Sequence, residues 1–238
     1  VTHLDTVISQ YSPHVILVQG DTTSACIGSL AGFYRKVQVG HVEAGLRTDN
    51  KYSPFPEEMN RRLVGVLADY HYAPTERAKQ ALLKEGVVSS SIFITGNTVI
   101  DALQFTLAKI EGQRLPLGNL ENILDSSKRT ILVTGHRREN FGKGFQDICA
   151  AIRKLALTFP EVTIVYPVHL NPNVQKPVYS ILGNLPNVHL IQPLPYVPFV
   201  RVMKKAHIIL TDSGGIQEEA TALGKPVLVM RETTERQE

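Results

Sequence analysis

Residues 14–43 read HVILVQGDTTSACIGSLAGFYRKVQVGHVE. The stretch opens on HVILV, a short apolar run between Pro13 and Gly20, which predicts a buried strand. Asp21 follows at the strand end. Residues 22–34 predict a helix, with Asp21 or Thr22 as its N-cap. QVGHV, residues 38–42, is the next strand, and Glu43 closes it. Strand, helix and strand in this order, with the strands wholly apolar, predict parallel pairing in a sheet covered on both faces.

The same alternation continues outward. A long polar loop leads through Pro54 and Pro56 into a helix from Glu57. Short strands are predicted at 70–73 and 92–95, with helices at 76–85 and 99–110. Residues 111–129 are polar, hold Gly and Pro, and lose the periodicity, so they predict a linker. TILVT (130–134) restarts the pattern. Strands at 162–168, 188–191, 207–211 and 226–230 then alternate with helices at 145–159, 174–182, 198–206 and 216–223. The expectation is an α/β protein with two Rossmann-like domains, 1–110 and 130–238, facing across a cleft.

The 238 residues are 43% hydrophobic and 20% charged, with a mean hydropathy of −0.04, an ordinary globular composition. A formal net charge of +3 gives no electrostatic case for nucleic-acid or membrane partners, and no apolar window is long enough to span a bilayer. Cys26 and Cys149 lie far apart in apolar helical contexts and predict buried thiols in a reducing, cytoplasmic compartment. The chain starts at Val1 with its pattern already mid-fold and stops at Glu238 after a strand. The expectation is a fragment lacking elements at both ends.

Carboxylates crowd the first half. Asp21 and Glu43 end successive strands, and Glu57 and Glu58 follow through one loop. Taken singly, each has an ordinary role as an N-cap or first-turn acid. As a set at the carboxyl edge of a parallel sheet, Asp21, Glu43 and Glu57 are candidate acid–base groups, while Glu58 is assigned a supporting role at the helix start. In the second half, SGGIQEE (213–219) follows a strand. Gly214 and Gly215 let backbone approach an anion at a helix start, Ser213 adds a hydroxyl, and Glu219 is placed to accept from ribose hydroxyls. The ordinary alternative is a turn capped by Ser213. GHRRENFGKG (135–144) puts His136 and Arg137 at another strand end, suited to a diphosphate. His169, in PVHLNPN, is at a third. No zinc spacing, Walker loop or G-x-G-x-x-G fingerprint is present, and the cations of this half make a metal unnecessary. No metal and no cofactor is expected.

GDTTS, GHVEAGLRT, SPFPEEMNRR, TGNTVIDAL, LVTGHRRENFGKG, VYPVHLNPNV, LTDSGGIQEEA and PVLVMRETTER run in order over nearly the whole chain. Together they resemble the non-hydrolysing UDP-N-acetylglucosamine 2-epimerases. The resemblance implies a glycosyltransferase-B-like fold and interconversion of UDP-N-acetylglucosamine with UDP-N-acetylmannosamine. It implies that Asp21, Glu43, Glu57 and His136 are catalytic, and that Ser213, Gly214, Gly215 and Glu219 hold UDP. It also implies that Arg137 and His169 lie in segments binding a second, activating UDP-N-acetylglucosamine, and that the full-length protein is a homodimer. The family's TTERPE is TTERQE here, with Gln237 for proline. That change is expected to be tolerated because Thr234 and Glu235 remain.

Carbon 2 of the sugar bears an unactivated C–H bond, and nothing in the sequence provides a nicotinamide site for making a neighbouring carbonyl. Elimination of UDP to a glycal, followed by re-addition, is therefore the expected route. A hydrolysing epimerase, a glycosyltransferase on the same fold and an inert nucleotide-sugar-binding fragment remain as alternatives.

Overall fold

The computed structural model describes residues 2–113, 120–124 and 128–236. Gln237 and residues 114–119 and 125–127 of the expected linker lie outside the described residues. The chain forms two compact units, Val1–Thr98 with Thr233–Glu238, and Val99–Glu232.

In the first unit α1 (Thr2–Tyr11), β1 (Val15–Gln19), α2 (Thr23–Tyr34), β2 (Gln38–Val42), α3 (Glu57–Leu67), β3 (Tyr70–Ala73), α4 (Glu76–Lys84) and β4 (Ile92–Ile94) follow in turn. The sheet is parallel in the order β1-β2-β3-β4, so successive strands are neighbours. The capping ambiguity at α2 resolves to Thr22, whose hydroxyl accepts from the backbone N–H of Ala25. Asp21 is thereby left for other contacts. Val18, Ala25, Val39 and Val64 form one small core, and Ala44, Leu46, Ala73, Ala78, Leu82 and Ile92 another.

The second unit contains α5 (Thr98–Ile110), α6 (Leu120–Ile123), β5 (Thr130–Thr134), α7 (Lys143–Thr158), β6 (Thr163–Pro167), α8 (Pro172–Leu182), β7 (Val188–Ile191), α9 (Tyr196–Lys205), β8 (Ile208–Thr211), α10 (Gly214–Ala222) and β9 (Val227–Val229). Its sheet is parallel in the order β7-β6-β5-β8-β9. Alternation along the strands feeds two cores. Val133, Ile164 and Tyr166 pack with α7 and α8, while Leu132, Val165 and Ile209 pack with α5, α9 and α10.

Four helix starts differ from expectation by two residues; α9 begins at Tyr196 rather than Pro198, and the other three follow. α7 begins at Lys143, within the glycine-rich loop rather than after it, and Gly142 is its N-cap. α8 begins at Pro172, because Asn171 caps the backbone N–H of Asn173 and proline suits the first helical position. α10 begins at Gly214, so Gly214 and Gly215 belong to a first helical turn and not to a turn preceding it.

Candidate functional site

Strand order reverses in the second sheet between β5 and β8. Such a switch point opens a crevice at the carboxyl ends of the strands, where α/β proteins bind ligands. Gly135, His136 and Arg137 leave β5 there, and Asp212 and Ser213 leave β8. The strand ends are tied by Thr134 Oγ1 and Thr211 Oγ1, 2.6 Å apart, and Thr211 Oγ1 also accepts from Ser213 N at 3.0 Å. Tyr166 donates its hydroxyl to the carbonyl of Gly135.

Ser213 is the N-cap residue of α10, yet its hydroxyl makes no capping bond. A Cβ at Gly215 would meet nothing within 4 Å. The helix start thus presents backbone N–H groups and an uncommitted hydroxyl to open space, which is an anion-binding arrangement. Glu219 lies deeper. It is buried, accepts from Tyr196 Oη at 2.7 Å, and burial pushes its carboxyl above the usual range. Any contact it makes with a ribose is shared with the tyrosine.

His136 is partly exposed and stacks on His169, with 5.4 Å between ring centroids. These two residues from separate loops therefore meet. Burial holds the His136 imidazole below its ordinary pKa. Asp212 opposes that effect, and Arg137 and His169 reinforce it. Arg137 has a buried Nε with no hydrogen-bond partner among the described residues. Asp212 itself is fully buried. Its Oδ2 accepts from the backbone N–H groups of His136 and Arg137, both at 2.8 Å, and from Asn140 Nδ2 at 3.3 Å. Asn140 also reaches the carbonyl of Met230. Asp212 is not among the candidates that the sequence offers. The signal that would have found it is the one that singles out Glu43, an acid directly after an apolar strand.

In the first unit, Asp21 and Glu43 leave the neighbouring ends of β1 and β2. Their expected repulsion is relieved by arginines. Asp21 pairs with Arg61, whose guanidinium is 2% exposed. Arg61 also lies 3.6 Å from Glu58 and 3.5 Å from Glu235. Arg236 pairs with both Glu235 and Glu43. One charge chain, Asp21–Arg61–Glu235–Arg236–Glu43, therefore joins the two acids. Gly20 has φ +73°, and a Cβ there would sit 3.3 Å from Glu43 Oε2, so the glycine lets that carboxylate lie against the backbone. Glu43 has φ +66°, an unfavourable conformation for a residue with a side chain, at the position that bears the carboxylate.

Glu58 is fully buried and accepts from Thr48 N and Arg62 Nε as well as facing Arg61, so it anchors the loop before α3. Glu57 is half-buried in the first turn of α3 and makes no side-chain hydrogen bond or ion pair among the described residues. His41 is buried, with Nε2 2.8 Å from the carbonyl of Gly20, and burial lowers its pKa to about 4. Among the described residues no cluster of His, Cys, Asp and Glu is arranged to hold a metal ion, and no helix is long and apolar enough to cross a membrane.

Two parallel α/β units, one with an open helix start at its switch point, define a glycosyltransferase-B-like protein. The profile of the UDP-N-acetylglucosamine 2-epimerase family matches residues 1–238, and the chain belongs to that family. UDP-N-acetylglucosamine 2-epimerase of Yersinia pestis is 57% identical over 238 residues, covering 99% of this chain and 63% of that protein. The Escherichia coli K12 enzyme is 56% identical with the same coverage. The crystal structure of the Neisseria meningitidis epimerase bound to UDP-GlcNAc superposes with a TM-score of 0.93 at 50% identity, over 99% of this chain and 64% of that one. The Methanocaldococcus jannaschii enzyme in complex with UDP-GlcNAc and UDP gives 0.83 at 33% identity, over 99% and 65%. The chain thus spans somewhat under two thirds of the length of these relatives.

Proposed function

We propose that the protein carrying this chain interconverts UDP-N-acetylglucosamine and UDP-N-acetylmannosamine by elimination of UDP and re-addition through a glycal. The observation that carries the proposal is the uncommitted α10 start beside His136, together with membership of the epimerase family. In this reading residues 130–238 bind the nucleotide, residues 1–110 carry the acids, and 111–129 connect them. Donors at Ser213, Gly214 and Gly215 and the imidazole of His136 stabilise the diphosphate as the bond to carbon 1 breaks. Asp21, Glu43 and Glu57 serve the sugar. A carboxylate steadies the oxocarbenium-like ring, one acid–base group takes the proton from carbon 2, and a second on the opposite face returns one. Glu219, with Tyr196, serves the ribose. The protein acts as a cytoplasmic homodimer, and a second UDP-N-acetylglucosamine binds near Arg137 and His169. The partnerless Nε of Arg137 supports that last assignment.

The test is incubation of the full-length protein with UDP-N-acetylglucosamine in deuterated water. Deuterium at carbon 2 of both epimers is the expected result. Epimerisation without label sinks the elimination route, and release of free N-acetylmannosamine replaces it with hydrolysis.

A further inference from the structure

The reaction proposed above uses the loop at His136 but assigns nothing to the acid behind it. Asp212 is fully buried, and its two oxygens have different surroundings. Oδ2 is saturated by the backbone N–H groups of His136 and Arg137 and by Asn140. Oδ1 makes no hydrogen bond among the described residues and lies 3.3 Å from Nδ1 of His136. A buried carboxylate oxygen without a partner is costly, and a short rotation of the imidazole would bring a proton on Nδ1 into line with it. The groups facing His136 are Asp212, the stacked ring of His169 and Arg137. The last two disfavour a cation there, and Asp212 is the one that favours it.

We propose that Asp212 is the positioning residue of His136. It fixes the proton on Nδ1 and favours the imidazolium, so that Nε2 presents its N–H to the leaving phosphate oxygen of a nucleoside diphosphate. This rests on the reading that the switch point of the second unit holds that diphosphate. Without Asp212, the partly buried ring would sit neutral beside the site, with its tautomer unspecified. A neutral ring with the proton on Nδ1 has only a lone pair at Nε2, which repels phosphate oxygen. Gain of a second proton turns the same atom into a donor.

A carboxylate that merely staples the loop predicts something else. Asparagine at 212 keeps an oxygen for the two backbone N–H groups but turns an NH₂ group toward Nδ1. The staple survives, the charge is lost, and the preferred tautomer reverses. The experiment is ¹⁵N-histidine labelling of the 238-residue chain and of its D212N variant, with long-range ¹H–¹⁵N spectra recorded across pH. The expected result is the Nδ1–H tautomer for neutral His136 in the parent. In D212N, His136 is expected as the Nε2–H tautomer and to titrate at lower pH. An Nε2–H tautomer in the parent, or an unchanged titration in D212N, overturns the proposal. If D212N fails to fold, the parent tautomer alone decides. In the full-length enzyme D212N should lose kcat by about 10²–10⁴-fold while keeping UDP affinity, and an unchanged kcat also overturns the proposal. The spectra need no turnover, so failure to take up deuterium would sink the catalytic reading while leaving the tautomer result standing.

Discussion

Replacing Arg61 by methionine keeps the bulk of the side chain and removes the cation on which the acidic edge of the first unit depends. The guanidinium is 2% exposed and faces Asp21, Glu58 and Glu235. Breaking a buried ion pair from one side costs about 3–5 kcal/mol, because the partner stays buried without its charge. Here two of the three acids keep other donors. Glu58 retains Thr48 N and Arg62, and Glu235 retains Arg236. Asp21 loses its only cation among the described residues, but its side chain is 26% exposed and takes up water. The expected loss is therefore at the lower end, about 3 kcal/mol, or a fall in melting temperature of about 10 °C for a chain of this size. The sequence has no tryptophan, so urea and thermal unfolding are followed by far-ultraviolet circular dichroism. Arg35→Met is the control. It removes an exposed pair with Asp5, and the midpoint should not move. Adding Asp21→Asn to Arg61→Met should recover part of the loss, since the two residues are in contact. A loss below about 1 kcal/mol, the range of exposed pairs, would refute the claim that Arg61 is the buried centre of the cluster.

Burial lowers the His41 pKa to about 4, below its unfolded value. Its contribution to stability is therefore complete above about pH 6.5 and is lost as pH falls toward 4. Urea midpoints should show about 3 kcal/mol of acid destabilisation that His41→Gln flattens. Gly45 has φ +87°, and a Cβ there would lie 2.3 Å from the carbonyl oxygen of Ala78, while Gly86 has φ +88° with open space around it. Gly45→Ala should cost about 3 kcal/mol or more and Gly86→Ala about 1–2 kcal/mol in the same melts; equal losses would show that the clash is relieved elsewhere. Ser213→Ala removes a hydroxyl that caps nothing, so stability should stay within about 0.5 kcal/mol while calorimetry shows UDP binding about 5–10-fold weaker. Glu57→Gln should likewise leave the melt unchanged yet abolish deuterium uptake at carbon 2. Glu43→Gln should lose uptake and also weaken the fold, because Arg236 loses a partner.

The strands are legible because most are short apolar runs closed by Pro, Gly or an acid, and β2, β3, β5 and β7 begin and end where the pattern does. The helix starts were less so. α8 was read from its first apolar residue, Val174, although Asn171 and Pro172 carry the capping chemistry. At α10 the glycines read as a turn, since glycine disfavours helix interiors, but in a first turn their lack of a side chain is no liability. The acids were found by position at strand ends. Their arginine partners were not, because compensation is a long-range contact. Arg61 meets a glutamate 174 positions away, and no local pattern links them. Asp212 carries the strand-end signal too, but its role does not, because its partners are backbone N–H groups, which leave no mark on the sequence.

The two units hold charge at a strand edge by opposite means, and the proposed chemistry would divide accordingly. The second unit withdraws its carboxylate beneath the loop and turns N–H groups, a hydroxyl and an imidazole outward, an arrangement suited to an anion that gains charge as it leaves. The first unit keeps carboxylates at the edge and matches two of them with arginines. A guanidinium that stays paired must be displaced before its carboxylate can take a proton, so in the proposed reaction Asp21 and Glu43 would face the positive charge developing on the sugar ring. Glu57 has no such partner among the described residues and stands at the start of the helix that supplies Arg61. Proton uptake and release at carbon 2 needs a carboxylate for which both forms are accessible during turnover. In the proposed reaction that requirement would make Glu57 one of the groups that move a proton at carbon 2, and would set it apart from the two acids with which the sequence groups it.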